Sequence, residues 1–182
     1  ANCALYCGAK IDFVDINPLT GLMSLEDLKN KLKLAKSLNR LPKVVIPVHL
    51  AGSSCDMKEI HKLSIIYGFS IIEDASHAIG GRYHNEPVGN CKYSDLTVFS
   101  FHPVKIITSG EGGMVTTNNL FLADKIYKLR SHGIVKEPDK FILKEDYPWK
   151  YEQQILGFNY RMNDIQAALG ISQLKRLEKI VS

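Results

Sequence analysis

Two charged residues stand where an open parallel sheet gathers its ligands, just past the carboxyl ends of strands. Asp74 closes the run Phe69-Ser70-Ile71-Ile72-Glu73, and Lys105 follows Thr97-Val98-Phe99-Ser100-Phe101-His102-Pro103-Val104. A carboxylate and an amine in a glycine-rich setting suit the chemistry of pyridoxal phosphate. The amine bonds to the cofactor aldehyde, and the carboxylate keeps the pyridine nitrogen protonated so that the ring can accept electrons from a substrate carbon. Each residue also has an ordinary reading. A loop lysine is commonly a solvated surface charge, and an aspartate ending a strand commonly caps a turn or helix. Spacing by itself leaves both readings open.

Other chemistries find less support. Gly110, Gly112 and Gly113 permit a tight turn after Lys105 and a close backbone approach. They do not form a Walker loop, because no Gly-Lys-Ser/Thr is present, and no Gly-x-Gly-x-x-Gly follows a strand. Nucleotide hydrolysis and nicotinamide binding therefore lose ground. Cys3, Cys7, Cys55 and Cys91 include no Cys-x-x-Cys pair, so no metal site is expected. Cys3 and Cys7, four apart, read as small buried residues on one helical face. His102 and His132 read as packed or solvated, with substrate contact as the alternative. Tyr147, Trp149 and Tyr151 suit either a sugar or uracil pocket or packing in a core or interface.

The elements that would position these residues follow from periodicity. Residues 11–16 alternate apolar and polar as a short strand does. Ser24, with Asp27 three residues on, opens a helix carrying Leu25, Leu28, Leu32 and Leu38, and Pro42 follows its end. Residues 44–50 form a β-branched run that suggests a buried parallel strand. Asp56 and Glu59 cap a helix bearing Ile60, Leu63 and Ile66, with Gly68 as its stop. Residues 69–73 are another buried strand, 75–90 a long loop with room for a short hairpin, 96–101 a strand, 102–113 a loop and 114–117 a further strand. Residues 120–131 form an amphipathic helix closed by Gly133. Residues 137–161 read as a long loop, functional or covered by a partner. Asn163 and Gln166 open a last helix whose Ile165, Leu169, Leu174 and Leu177 share a face. The strand–helix alternation predicts an α/β fold with a mostly parallel central sheet.

The 182 residues, 45% hydrophobic and 23% charged, match a globular protein able to bury a core. No apolar stretch approaches the roughly 18 residues of a membrane-spanning helix. Residues 1–7 do not read as a signal peptide. The net charge of +4 is mild, and the lysines of residues 29–36 suit the wet face of a helix better than a nucleic-acid or lipid surface. Neither nucleic acid nor membrane is expected as a partner, and spread cysteines favour a reducing cytoplasm. The abrupt start and a final helix without a C-cap lead us to expect a piece of a longer protein.

Three segments carry a resemblance. Glu73-Asp74-Ala75-Ser76-His77-Ala78, then Ser100-Phe101-His102-Pro103-Val104-Lys105 with Gly110-Glu111-Gly112-Gly113, and finally residues 157–168, Gly-Phe-Asn-Tyr-Arg-Met-Asn-Asp-Ile-Gln-Ala-Ala, resemble in order the hallmarks of the DegT/DnrJ/EryC1/StrS sugar aminotransferases. The resemblance implies the large domain of the fold type I, aspartate aminotransferase-like, pyridoxal phosphate enzymes, with residues 1–182 as part of it. The N-terminal phosphate-binding turn, an aromatic that stacks on the cofactor and the small C-terminal domain are not visible in this chain.

The resemblance also implies roles. Lys105 would bond to the pyridoxal 5′-phosphate aldehyde and shuttle a proton. Asp74 would pair with the pyridine nitrogen, and His77 would lie at the phenolic oxygen, its alternative being an ordinary loop histidine. Ser100 would donate to the phosphate. Asn159 would reach the phosphate of a neighbouring subunit in a homodimer with shared sites. The implied reaction moves nitrogen from glutamate to the C4 ketone of a nucleotide-linked 4-keto-6-deoxy hexose, UDP-linked and of the 2-acetamido type. The dehydratase branch of the family has histidine where this chain has Lys105. A non-transaminating cofactor binder and an inactive interaction module that keeps the fold are the alternatives. The 182 residues alone are expected to be inactive or nearly so.

Overall fold

Helix-spaced apolar residues and strong end signals build the layer that covers the sheet. In this computed structural model, which describes residues 1–144 and 147–182, α1 (Asn2–Tyr6) is a short helix and α2 (Leu25–Ser37) is the first long one. Ser24 Oγ accepts the Asp27 N–H at 3.2 Å, as its position predicts. The Asp27 carboxylate does not return to Ser24 and instead accepts the Asp15 N–H at 2.7 Å, tying the preceding segment to the helix start. Asp56 caps α3 (Met57–Tyr67) and Gly68, at φ +76°, ends it, its N–H reaching Ser64 O at 2.7 Å.

The chain divides into two compact units, Ala1–Phe99 and Ser100–Ser182. In the first, β1 (Val44–Val45), β2 (Ser70–Asp74) and β5 (Leu96–Ser100, its last residue in the second unit) run parallel in that order. Val45 pairs with Ile71 and Asp74 with Val98. Leu28 and Leu32 of α2, Ile60 and Leu63 of α3, and Val45 and Ile71 of the sheet share one core. Each fully buried aliphatic side chain contributes about 1.5–3 kcal/mol. The loop after Asp74 does hold a small hairpin, β3 (Arg82–Tyr83) with β4 (Glu86–Pro87).

Three expectations need correction here. Residues 11–16 form no strand. Ile16 makes a single pairing with Met23, and Phe13 and Ile16 stay exposed, so the alternating pattern has no neighbouring strand to complete it. The run 44–50 is a strand only at Val44–Val45. Pro47 has no N–H for a ladder, Val48 adds a lone parallel pairing with Asp74, and the chain then turns through a 3₁₀ helix at Leu50–Gly52. Cys3 and Cys7 are exposed, because α1 buries none of its residues.

The second unit holds β6 (Gly113–Thr116), α4 (Leu120–Leu129), β7 (Ile134–Val135), β8 (Glu152–Gln153), α5 (Asp164–Leu174) and α6 (Leu177–Val181). Asn119 caps α4, its Oδ1 accepting the N–H groups of Phe121 and Leu122. The expected loop 137–161 is partly ordered as β8, which pairs antiparallel with β7; residues 145 and 146 of it lie outside the described residues. Asn163 and Gln166 form a reciprocal capping box. The final helix is broken at Lys175–Arg176 into α5 and α6, and neither buries a residue, so the shared apolar face of Ile165, Leu169 and Leu174 is open. Among the described residues no helix is long and apolar enough to cross a membrane.

Candidate functional site

Asp74 is the last residue of β2, and both neighbouring chains hold its backbone. Its N–H donates to Pro47 O at 2.9 Å and its carbonyl accepts the His49 N–H at 3.0 Å, while the next residue, Ala75, donates to Val98 O at 2.9 Å. The half-buried side chain accepts the Ser76 N–H on Oδ1 at 3.1 Å. That contact is the turn-capping role an aspartate here has in any fold, and it uses one oxygen only. His77 follows in the same turn and is exposed. A Cβ on Gly52 would meet His77 O at 3.3 Å, so the 3₁₀ turn lies close against the His77 backbone. Asp74 and His77 are therefore brought together at the carboxyl end of the parallel strands.

Sequence reading passed over what lies under Asp74. Glu73 is buried, and its Oε2 lies 2.6 Å from Nε2 of His49, a side chain with no exposure. Glu73 Oε1 accepts from Thr97 Oγ1 at 3.0 Å and from Ser94 Oγ. His49 Nδ1 accepts the Cys55 N–H at 3.2 Å. Burial alone would raise the Glu73 pKa, but its bonds to His49, Ser94 and Thr97 outweigh it and hold the carboxyl below its ordinary range. For His49, burial works against a charged ring, while the contacts with Cys55 and Glu73 work for it. The Cys55 N–H counts the other way, since an imidazolium offers no lone pair at Nδ1. With that bond made, the ring is the neutral Nε2–H tautomer and Glu73 carries the charge. A polar residue inside the β-branched run 44–50 was the signal available beforehand.

In the second unit, the segment after Ser100 folds into a tight loop closed on Phe101. Phe101 N–H donates to Gly112 O at 2.8 Å, and Phe101 O accepts from Ser109 N at 3.0 Å and Thr108 Oγ1 at 2.9 Å. Gly112 allows this closure sterically: a Cβ there would lie 2.4 Å from Ser109 Oγ and 2.8 Å from Met162 Cε. Ser100 and Lys105 are half-buried at the two ends of the turn's first limb, with Lys105 N–H bonded to His102 O at 3.0 Å. His102 is exposed, 3.8 Å from Glu111.

Asn159 is placed differently. It pairs with Ser131, between the bonds of His132 N–H to Phe158 O and Tyr160 N–H to Arg130 O, and its side chain is exposed. Among the described residues, that side chain makes no hydrogen bond to Ser100 or Lys105. Tyr147 and Trp149 stack on each other, and with Tyr151 they are exposed rather than gathered in a pocket. Glu152 organises this segment by accepting from Ile142 and Leu143 N–H and pairing with Lys150. Although burial opposes it, those contacts hold the Glu152 carboxyl down at about 2.

The donors each unit offers have a definite chemistry. The first presents a carboxylate and an imidazole at strand ends, the second a hydroxyl, an amine and a glycine-lined turn. Taken singly, a carboxylate suits a basic ring nitrogen, an amine an aldehyde and a hydroxyl a phosphate, the three groups that pyridoxal phosphate carries.

The first unit is thus an α/β layer of parallel strands with a carboxylate at the carboxyl end of one of them. The profile of the DegT/DnrJ/EryC1/StrS aminotransferase family matches residues 1–182, and the chain belongs to that family. It is 43% identical over 178 residues to the UDP-4-amino-4,6-dideoxy-N-acetyl-beta-L-altrosamine transaminase of Campylobacter jejuni, across 98% of this chain and 43% of that protein. The solved structure of Helicobacter pylori PseC, an aminotransferase involved in the biosynthesis of pseudoaminic acid, superposes with a TM-score of 0.85 at 35% identity, over 98% of this chain and 43% of that one. The PLP-form structure of Spr1654 from Streptococcus pneumoniae gives 0.77 at 27% identity, over 98% of this chain and 46% of that one. The expected α/β aminotransferase fold is thus the observed one, and the chain spans less than half the length of these relatives.

Proposed function

We propose that the full-length protein is a pyridoxal 5′-phosphate-dependent sugar aminotransferase. It takes nitrogen from glutamate and delivers it to the C4 ketone of a nucleotide-linked 4-keto-6-deoxy hexose, a UDP-linked 2-acetamido sugar, in amino-sugar synthesis of the pseudaminic acid type. The observation that carries this reading is the 43% identity, sustained over 98% of the chain, to a transaminase named for such a sugar. Residues 1–182 are then part of the large domain of a homodimer whose sites are shared between subunits.

The bound cofactor supplies an aldehyde for amine exchange and a ring that draws electron density from the carbon being deprotonated. The chain's own residues do the rest. Asp74 holds the proton on the ring nitrogen, which a carboxylate stabilises by charge-assisted hydrogen bonding. Lys105 Nζ would hold the cofactor at its aldehyde and, as the neutral amine, would move the proton at the substrate carbon. Ser100 Oγ donates to the phosphate, His77 stands at the phenolic oxygen, and Asn159 reaches the phosphate held by the other subunit. No observation favours the inactive-module alternative, since both Asp74 and Lys105 are retained.

The test is an assay of the full-length protein, loaded with pyridoxal phosphate and glutamate, against a panel of 4-keto sugar nucleotides. A 4-amino sugar and 2-oxoglutarate in equal amounts are expected. Absence of amine product across the panel would overturn the reading.

A further inference from the structure

Glu73 occupies an unusual place for a buried charge. One of its oxygens meets His49, on the chain that follows β1, and the other meets Thr97, on β5. These are the two chains that flank β2, so a single carboxylate links all three at the level just before Asp74. The backbone repeats the arrangement one residue on: Pro47 and His49 clasp the Asp74 amide and carbonyl from one side, and Val98, in register with Asp74, accepts the Ala75 N–H from the other. His49 is in turn fixed at both ring nitrogens, by Glu73 and by the Cys55 N–H.

A network of this kind is a costly way to hold a sheet. Burying a carboxylate is unfavourable until its hydrogen bonds offset the lost hydration, and apolar side chains of similar volume commonly pack as well or better. What the polar network adds is direction. Its bonds are angle-dependent, and among the described residues no buried side-chain polar atom is left without a partner. Glu73 and Asp74 also alternate across the strand, so the network occupies the face opposite the Asp74 carboxylate and cannot itself meet a ligand bound there.

We infer that His49 and Glu73 are positioning residues for Asp74: together they set the register and tilt of the strand end, and with it the direction in which the Asp74 carboxylate points. The inference rests on the proposed role of Asp74 toward the pyridine nitrogen. It assigns His49 and Glu73 no contact with substrate or cofactor.

A thermodynamic cycle tests it, using the full-length protein and pyridoxal phosphate affinity measured by absorbance titration. His49→Asn keeps an acceptor for the Cys55 N–H but is too short for Glu73, and should weaken cofactor binding about tenfold. His49→Gln reaches Glu73 with its amide and should recover most of that loss. Glu73→Gln keeps the shape and should fall between them. In an Asp74→Asn background, the His49→Asn effect should shrink below about twofold, because the residue through which it acts no longer pairs with the ring. Hydrogen exchange at the His49 and Asp74 amides should quicken in His49→Asn while exchange at the Ile60 amide of α3 holds. An equal loss in both backgrounds, or no recovery by glutamine, overturns the inference and makes the network merely structural. Failure of every His49 and Glu73 variant to fold does the same. If Asp74→Asn alone leaves cofactor affinity unchanged, the proposed role of Asp74 fails instead.

Discussion

Replacing Gly133 by alanine should unfasten the segment that carries Asn159. Gly133 sits at φ +71°, and a Cβ there would lie 1.8 Å from Ile155 O and 2.6 Å from Ile155 C. The colliding atoms are backbone, so no rotamer change relieves them. Gly157 faces it as closely, its own Cβ position falling 2.3 Å from Gly133 N. The left-handed conformation costs a non-glycine residue about 1–2 kcal/mol. Residues 153–158 must also withdraw, which strains or breaks the bonds from Gln154 N–H to Gly133 O and from Phe158 N–H to Leu129 O, at about 1 kcal/mol each. The expected loss is about 3–4 kcal/mol. Gly68→Ala is the control, since φ there is +76° but nothing lies within 4 Å of the added carbon; it should cost only the conformational share, about 1–2 kcal/mol. Urea unfolding of the full-length protein measures both, and hydrogen exchange of the Phe158 and Tyr160 amides locates the damage. Equal losses for the two variants, with unchanged protection at Phe158, would refute the close-packing argument.

Further outcomes follow from caps and charges. Asn163→Ala removes the side-chain half of the α5 capping box, leaving the residue 163 N–H to Gln166 Oε1, and should cost about 1 kcal/mol, read by the unfolding midpoint, with Asn163→Ser restoring most of it. Glu73 has its folded pKa below the ordinary 4.5, so its stabilising share is complete above pH 4.5 and is lost as pH falls through the folded value; wild type should lose stability below pH 4.5 more steeply than Glu73→Gln. The neutral His49 ring predicts level stability from pH 6.5 to 9, whereas an imidazolium partner with its pKa lifted to about 9 would lose its share across that window. Gly112→Ala should loosen the loop after Lys105, at about 1–3 kcal/mol for the overpacking at Ser109, seen as faster exchange of the Phe101 and Ser109 amides.

Much of this fold is legible in sequence because its signals are local. The caps at Ser24, Asp56 and Asn163, the stop at Gly68 and the strands ending in Asp74 and Ser100 depend on residues within a few positions of each other. The failures share a different cause. A strand exists only if another chain completes it, and alternation at 11–16 carries no information on whether one does. The strand expected at 44–50 breaks because Pro47 cannot donate, although its carbonyl still serves Asp74. β7 and β8 are two residues each, too short for periodicity to register. The candidate site divides the same way. The strand-end positions of Asp74 and Ser100 are readable from the apolar runs before them. The His49–Glu73 pair spans 24 residues of sequence, and nothing local marks two polar residues in apolar runs as each other's partner.

Lys105, proposed as the amine that bonds to the cofactor, can be tested by covalent trapping. Borohydride reduction of the full-length protein loaded with pyridoxal phosphate, followed by proteolysis and mass spectrometry, should find the phosphopyridoxyl group on Lys105, and the Lys105→Ala variant should retain none after the same treatment. Stoichiometric labelling at any other lysine, with Lys105 unmodified, would remove Lys105 from that role.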